Sequence, residues 1–210
     1  TNINAFVGLS ATNTWTIQSE TGDSNAVIID NNNTTATLLF NSCDYVRIKN
    51  ITVNTWASYD AIQFNNGSDY NKVSGCILNA RLTLNNNCHY NLLENNLVNS
   101  EIYLSGQSGF DCIGNVVRYN TIHHTSGIHF YYQDSIIVEG NTIENTTGQL
   151  QSNSFGIKTL GNSSRSWVTK NKITGNFSSL LNISADGSVT DTAIIANNIL
   201  IAGDNAGVGV

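Results

Sequence analysis

Four side chains, Arg81, Tyr103, His129 and Lys158, offer this 210-residue chain its richest set of reactive groups. Tyr103, His129 and Lys158 each stand between the two inward positions of a short alternating segment, and Arg81 stands just before one. Alternation places all four on one outward face, because successive residues of a strand point to opposite sides. Cleavage of a polyuronate by β-elimination needs a cation to neutralise the sugar carboxylate, a base for the proton at C5 and an acid for the leaving oxygen. Arg81 or Lys158 would neutralise, His129 would serve as base and Tyr103 as acid. The same residue types also suit a plain solvated or glycan-binding strand face, to which Gln63, Thr83, Glu101 and Asn182 would add hydrogen bonds. Both readings stay open at this level. Just upstream in each segment, Ala61, Arg81, Glu101, Gly127, Gly156 and Leu180 are expected beside that face.

Other chemistries fit less well. Glycoside hydrolysis wants two carboxyl groups about 5–5.5 Å or about 6.5–9.5 Å apart. Only Asp60 and Glu101 lie near the face, and they are two segments apart. Calcium needs several converging oxygen ligands, and none cluster in the sequence. His123 and His124 are neighbours whose side chains diverge on a strand. No metal and no cofactor are expected.

These residues must be positioned by a repeat. A unit of the form apolar-x-x-Asn-x-apolar recurs around Asn96, Asn120, Asn141, Asn171 and Asn198, with Ile51 and Cys76 in the Asn position of two earlier copies. Interleaved with it are the alternating pairs Leu38/Phe40, Ile62/Phe64, Leu82/Leu84, Ile102/Leu104, Ile128/Phe130, Ile157/Thr159 and Leu181/Ile183. Their starts are 24, 20, 20, 26, 29 and 24 residues apart, the period of one coil of a parallel β-solenoid with variable loops. A β-sandwich would need Asn-Gly or Asp-Gly turns at much closer intervals than the two such pairs present. The expected fold is all-β: a parallel β-helix of about eight to nine coils with three short strands each, stacked about 4.8 Å apart into a rod of roughly 40 Å. The recurring Asn should form a ladder at one corner, bonding its own backbone and the Asn of the next coil. Residues 1–35 read as irregular first coils, 36–201 as regular coils and 202–210 as a tail, all one domain. The polar stretch Glu144 to Gly156 is expected as a wall beside the reactive face.

This pattern resembles the right-handed parallel β-helix, or pectate-lyase-like, superfamily over roughly Val27 to Leu200. The stretches from Thr14 to Asp30 and from Cys43 to Val53 resemble the first coils of β-helix regions in large secreted bacterial surface proteins. The resemblance implies a fold shared by polysaccharide lyases, epimerases, glycosidases, tailspikes and non-catalytic adhesins, so it leaves activity open.

Composition narrows the partners. A net charge of −6 with only 9 Lys and Arg disfavours nucleic acid. No apolar run is long enough to insert in a membrane. The polar share comes from uncharged groups, including 33 Asn. Cys43, Cys88 and Cys112 share one column with Ser68, so Cys88 and Cys112 form either a disulfide or part of a thiol ladder. The absence of Met and the small residues at the end suggest a segment of a longer protein that joins flanking domains or further solenoid copies end to end. Together these features favour an extracellular or cell-surface structural or adhesive spacer with a glycan-compatible face. A polysaccharide lyase or epimerase is the alternative, and a non-catalytic carbohydrate-binding module a third reading.

Overall fold

A computed structural model describes residues 2–4, 7–31, 35–55, 59–146, 153–160, 163–183 and 192–203. Among these the chain winds through three parallel sheets of eight strands each, with a two-stranded parallel sheet of Cys112–Ile113 and Gln133–Asp134 beside them, and forms no helix. Sheet 1 stacks Asn2–Asn4, Leu38–Asn41, Asp60–Asn65, Arg81–Asn85, Ile102–Ser105, Ser126–Tyr131, Phe155–Leu160 and Ser179–Asn182 in that order. Sheet 2 runs from Trp15–Gln18 to Ile194–Ala196, and sheet 3 from Ile28–Ile29 to Ile199–Ala202. The strands before position 35 are thus regular members of the stack. Of the eight coils, the two end ones have a neighbour on one side only, which leaves six enclosed. The end residues 204–210 lie outside the described part.

Burial follows the alternation read from the sequence. On sheet 1 Ile62, Leu82, Ile102, Ile128, Ile157 and Leu181 pair in register and form one inward row. Phe64, Leu84, Leu104 and Phe130 form the next and are fully buried. With Val73, Leu93, Val117 and Val138 from sheet 2 and Leu78, Val98, Ile122 and Ile143 from sheet 3 they make a single core along the axis. Each β-branched or leucine side chain removed from water stabilises the stack by about 1.5–3 kcal/mol before entropy is counted.

The corner between sheets 2 and 3 carries the expected Asn ladder, with a different bonding pattern. Asn120 donates from Nδ2 to Leu93 O of the preceding coil at 2.9 Å and to Asn141 Oδ1 of the next at 3.0 Å. Its own Oδ1 accepts the backbone N–H of Asn96 at 3.0 Å. The ladder amides therefore bridge the backbones of neighbouring coils instead of closing on their own. Left-handed geometry falls on the residue before: Asn50, Gly75, Asn95, Tyr119, Gly140, Lys170 and Asn197 have φ between 51° and 65°. That residue turns the chain so that the following Asn points inward.

A second ladder, not expected, occupies the corner between sheets 1 and 2. Asn71, Asn91 and Asn115 repeat the same bonds, and Asn115 hands over to Gln133 Oε1 at 3.0 Å. Its left-handed residues are Tyr70, Tyr90 and Gly114. The rings of Tyr45, Tyr70 and Tyr90 stack at 5.2 and 5.1 Å. Beyond them the corner must be glycine, since a Cβ on Gly114 would sit 2.7 Å from the Tyr90 ring.

Candidate functional site

The outward row of sheet 1 runs Leu39, Gln63, Thr83, Tyr103, His129, Lys158 and Asn182, each paired with the next. The four candidate reactive residues are thus brought onto one face, with Tyr103, His129 and Lys158 on three consecutive coils about 4.8 Å apart. Gln63 is half-buried and Asn182 exposed, as surface positions should be. Thr83 is not available: its short side chain lies between the longer Gln63 and Tyr103, is fully buried, and its Oγ1 has no hydrogen-bond partner.

Upstream of the row the alternation breaks. The pairing of Asp60–Asn65 with Arg81–Asn85 shifts register between Arg81 and Leu82, so Asp60, and not Ala61, lies beside Arg81. Ala61, Gly127, Gly156 and Leu180, expected next to the reactive face, are all buried. An extra residue in a strand sends two consecutive side chains the same way, and period-two reading fails there. Asp60 instead reaches Arg81, and Phe155 reaches His129 and Lys158, so these two side chains lie toward the face.

This rearrangement decides the electrostatics. Arg81 Nε lies 2.5 Å from Asp60 Oδ1 and its Nη1 3.4 Å from Glu101 Oε1, while its guanidinium carbon stands 5.3 Å from the Tyr103 ring centroid. Two carboxylates therefore already hold the cation expected to neutralise a substrate. Lys158 has no carboxylate partner among the described residues and lies with Nζ 4.8 Å from the Phe155 ring centroid. Of the two cations it is the one free to meet an anion.

His129 sits between them in an aromatic enclosure. Its ring is 4.2 Å from Phe155, 5.1 Å from Tyr131 and 5.8 Å, edge to face, from Tyr103. Nε2 is 3.5 Å from the Tyr131 hydroxyl and Nδ1 is 3.9 Å from Glu101 Oε2. Burial first, and the Lys158 charge second, push its pKa down to about 4. The imidazole is accordingly neutral at neutral pH and able to accept a proton. With the Tyr131 hydroxyl donating, Nε2 is the acceptor and the ring hydrogen sits on Nδ1, on the side of Glu101. Tyr131 is raised above the ordinary tyrosine value by burial, then by Tyr103 and Glu101, so it holds its proton.

Tyr131 and Phe155 were missed from the sequence. Tyr131 could have been found by carrying the alternation two residues past His129. Phe155 could not, because strict alternation from the inward Ile157 turns it inward as well. Residues 147–152, the middle of the expected wall, lie outside the described part. Beside the face a polar cavity of about 400 Å³ is lined by Tyr59, Asn79, Arg81, Asn99, Glu101 and His124. A more apolar hollow of about 480 Å³ around Trp167 lies on sheet 2, away from these groups. All four cysteines are buried and free, which answers the Cys88–Cys112 alternative in favour of thiols. No group of three or more His, Cys, Asp or Glu converges among the described residues. Nor, among them, is any helix long and apolar enough to cross a membrane.

Comparison with protein families matches residues 102–210 to the model described as "Right handed beta helix region", more than half of the chain. A comparison with curated proteins gave no match. Among solved structures, the chain is similar to an alginate lyase from Paenibacillus sp. str. FPU-7, with a TM-score of 0.61 and 13% identity over 97% of this chain and 86% of the other.

Proposed function

The chain belongs to the right-handed β-helix family, and from that premise we propose that it binds an acidic polysaccharide along sheet 1 and cleaves it by β-elimination. The observation that carries this reading is the juxtaposition of Lys158, without a carboxylate partner among the described residues, a neutral, largely enclosed His129 and a protonated Tyr131 whose hydroxyl is 3.5 Å from His129 Nε2. Likeness to an alginate lyase, a polyuronate-acting enzyme, supports the substrate class. An extracellular setting accords with it, since such polymers lie outside the cell.

Lys158 pairs with the uronate carboxylate and so acidifies the proton at C5. His129 Nε2 takes that proton. The electron pair forms the C4–C5 double bond, the C4–O bond breaks, and the leaving oxygen takes its proton from Tyr131. The Tyr131 phenolate then recovers a proton from His129 Nε2–H, which stands 3.5 Å away, and both groups return to their starting state. Acid and base stand side by side on one face, which restricts the reaction to sugars whose C5 hydrogen and leaving oxygen share a ring face. Binding of a carboxylate at Lys158 also cancels one of the two influences that depress His129, and makes it a better base when substrate is present.

New unsaturated ends are followed by ultraviolet absorbance on a panel of polyuronates, with His129→Ala, Lys158→Ala and Tyr131→Phe as controls. Each variant should lose about 100-fold or more in kcat/KM, the ordinary worth of a positioned acid or base. Absence of unsaturated product from folded protein across the panel sinks the catalytic reading. One observation favours a passive glycan-binding or adhesive spacer in that case: Glu101, 3.9 Å from His129, places a negative charge where a uronate polymer must pass.

A further inference from the structure

That negative charge points to the kind of polymer. Across sheet 1 the charged groups divide by coil. Toward the C-terminal side, Lys158, with no carboxylate partner among the described residues, is next in register to His129. One coil toward the N-terminal side stand Tyr103 and Glu101, and one further Arg81 with Asp60 beside it. In this second group two carboxylates share one guanidinium, so the net charge is negative and no cation is left over. The adjoining cavity offers Asn79, Asn99, the Glu101 carboxylate, the Tyr59 hydroxyl and the His124 ring. These donate to and accept from hydroxyl or amide groups. A second uronate there would face Glu101 without compensation.

Coils repeat about every 4.8 Å, close to the length of one pyranose unit, so a polymer lying along the axis sets neighbouring sugars over neighbouring coils. We infer that the substrate is a heteropolysaccharide in which a uronate, held at Lys158 and His129, is followed by an uncharged sugar carrying hydroxyl or acetamido groups, held over Tyr103, Glu101 and the cavity. This rests on the assignment of sheet 1 as the glycan site. Glu101 acts as a specificity determinant: it accepts from a neutral sugar and repels a second carboxylate.

The test compares unsulfated polymers that alternate uronate with N-acetylhexosamine against homopolyuronates whose C5 hydrogen and C4 oxygen share a ring face, polymannuronate and polyglucuronate, by kcat/KM and, separately, by calorimetric binding to the His129→Ala protein. The alternating polymers should be favoured at least about tenfold in both readouts, the discrimination expected of one uncompensated like charge partly screened by solvent. Glu101→Gln should shrink that gap, mainly through a lower KM for homopolyuronates. Equal or better cleavage and binding of homopolyuronates overturns the inference and leaves the elimination chemistry standing. A preference in binding with no cleavage of any polymer leaves the inference standing and removes the chemistry. Failure of every polymer to bind overturns both.

Discussion

Lowering the pH sets His129 against the fold. In the unfolded chain its imidazole titrates at the ordinary value of 6.5, and in the folded protein at about 4. Above pH 6.5 both states are neutral and the group contributes nothing. Between the two values the unfolded chain binds a proton that the folded one refuses, so stability falls as the pH drops and stops falling below about 4. The difference between the two values corresponds to roughly 3 kcal/mol in full. At pH 5 the part already lost is about 2 kcal/mol. The side chain is only 12% exposed, so solvent screening removes little of this. His129→Phe keeps a ring against Phe155 and Tyr103 but cannot titrate. Urea denaturation of both proteins at pH 8 and pH 5 should show the wild type losing about 2 kcal/mol more than the variant, since every other titratable group is common to both. A proton resonance of the His129 ring should move near pH 4. Identical pH dependence in the two proteins, or a resonance that titrates near 6.5, would refute the claim that burial and Lys158 hold this ring neutral.

Further outcomes follow from the corners and the core. Asn120→Ala leaves the buried Asn96 N–H without its acceptor and Leu93 O without the amide donor, and should cost about 3 kcal/mol. Asn99→Ala, in the exposed row where Asn99 donates to Asn79 at 2.7 Å, should stay within about 0.5 kcal/mol by the same denaturation assay. Gly114→Ala forces a side chain into a left-handed turn and against the Tyr90 ring, and should cost about 1–2 kcal/mol. Combining it with Tyr90→Ala should recover the part due to the ring, and a double variant no better than the single one would show that backbone conformation alone is responsible. Burial pushes the Cys88 thiol up to about 12 and the Cys76 thiol up to about 11. At pH 8 neither should react with a disulfide reagent until denaturant is added, and rapid modification of the native protein would contradict the packing described.

The coil pattern was legible because burial leaves a regular trace. Leu82, Ile102, Ile128 and Ile157 had to face one core, and a one-residue slip would have turned each of them to water. The Asn ladder at Asn96 through Asn198 was visible for the same reason, as a fixed offset from those apolar residues. Its bonding was not, because a side-chain amide can satisfy its own backbone or a neighbour's, and only stacked coils offer the neighbour's groups at the right distance. The second ladder at Asn71, Asn91 and Asn115 spans only three coils before Ile136 takes the column, too few to stand out in a chain with 33 Asn.

The candidate site divides along the same line. The sheets and the outward row that carries Tyr103, His129 and Lys158 were legible in the residues alone, since period-two alternation and a coil-length repeat leave little freedom in where those side chains point. Only the tertiary structure decided which of them are available for chemistry. The bulge beside Arg81 brings Asp60 to it, and with Glu101 from the next coil it consumes the arginine. Phe155, from the coil that follows, lies 4.2 Å from the His129 ring and helps to bury it, which lowers its affinity for a proton. These are contacts across 20 to 29 residues of intervening chain, and they depend on the depth and charge of a surface that exists only once the coils have stacked.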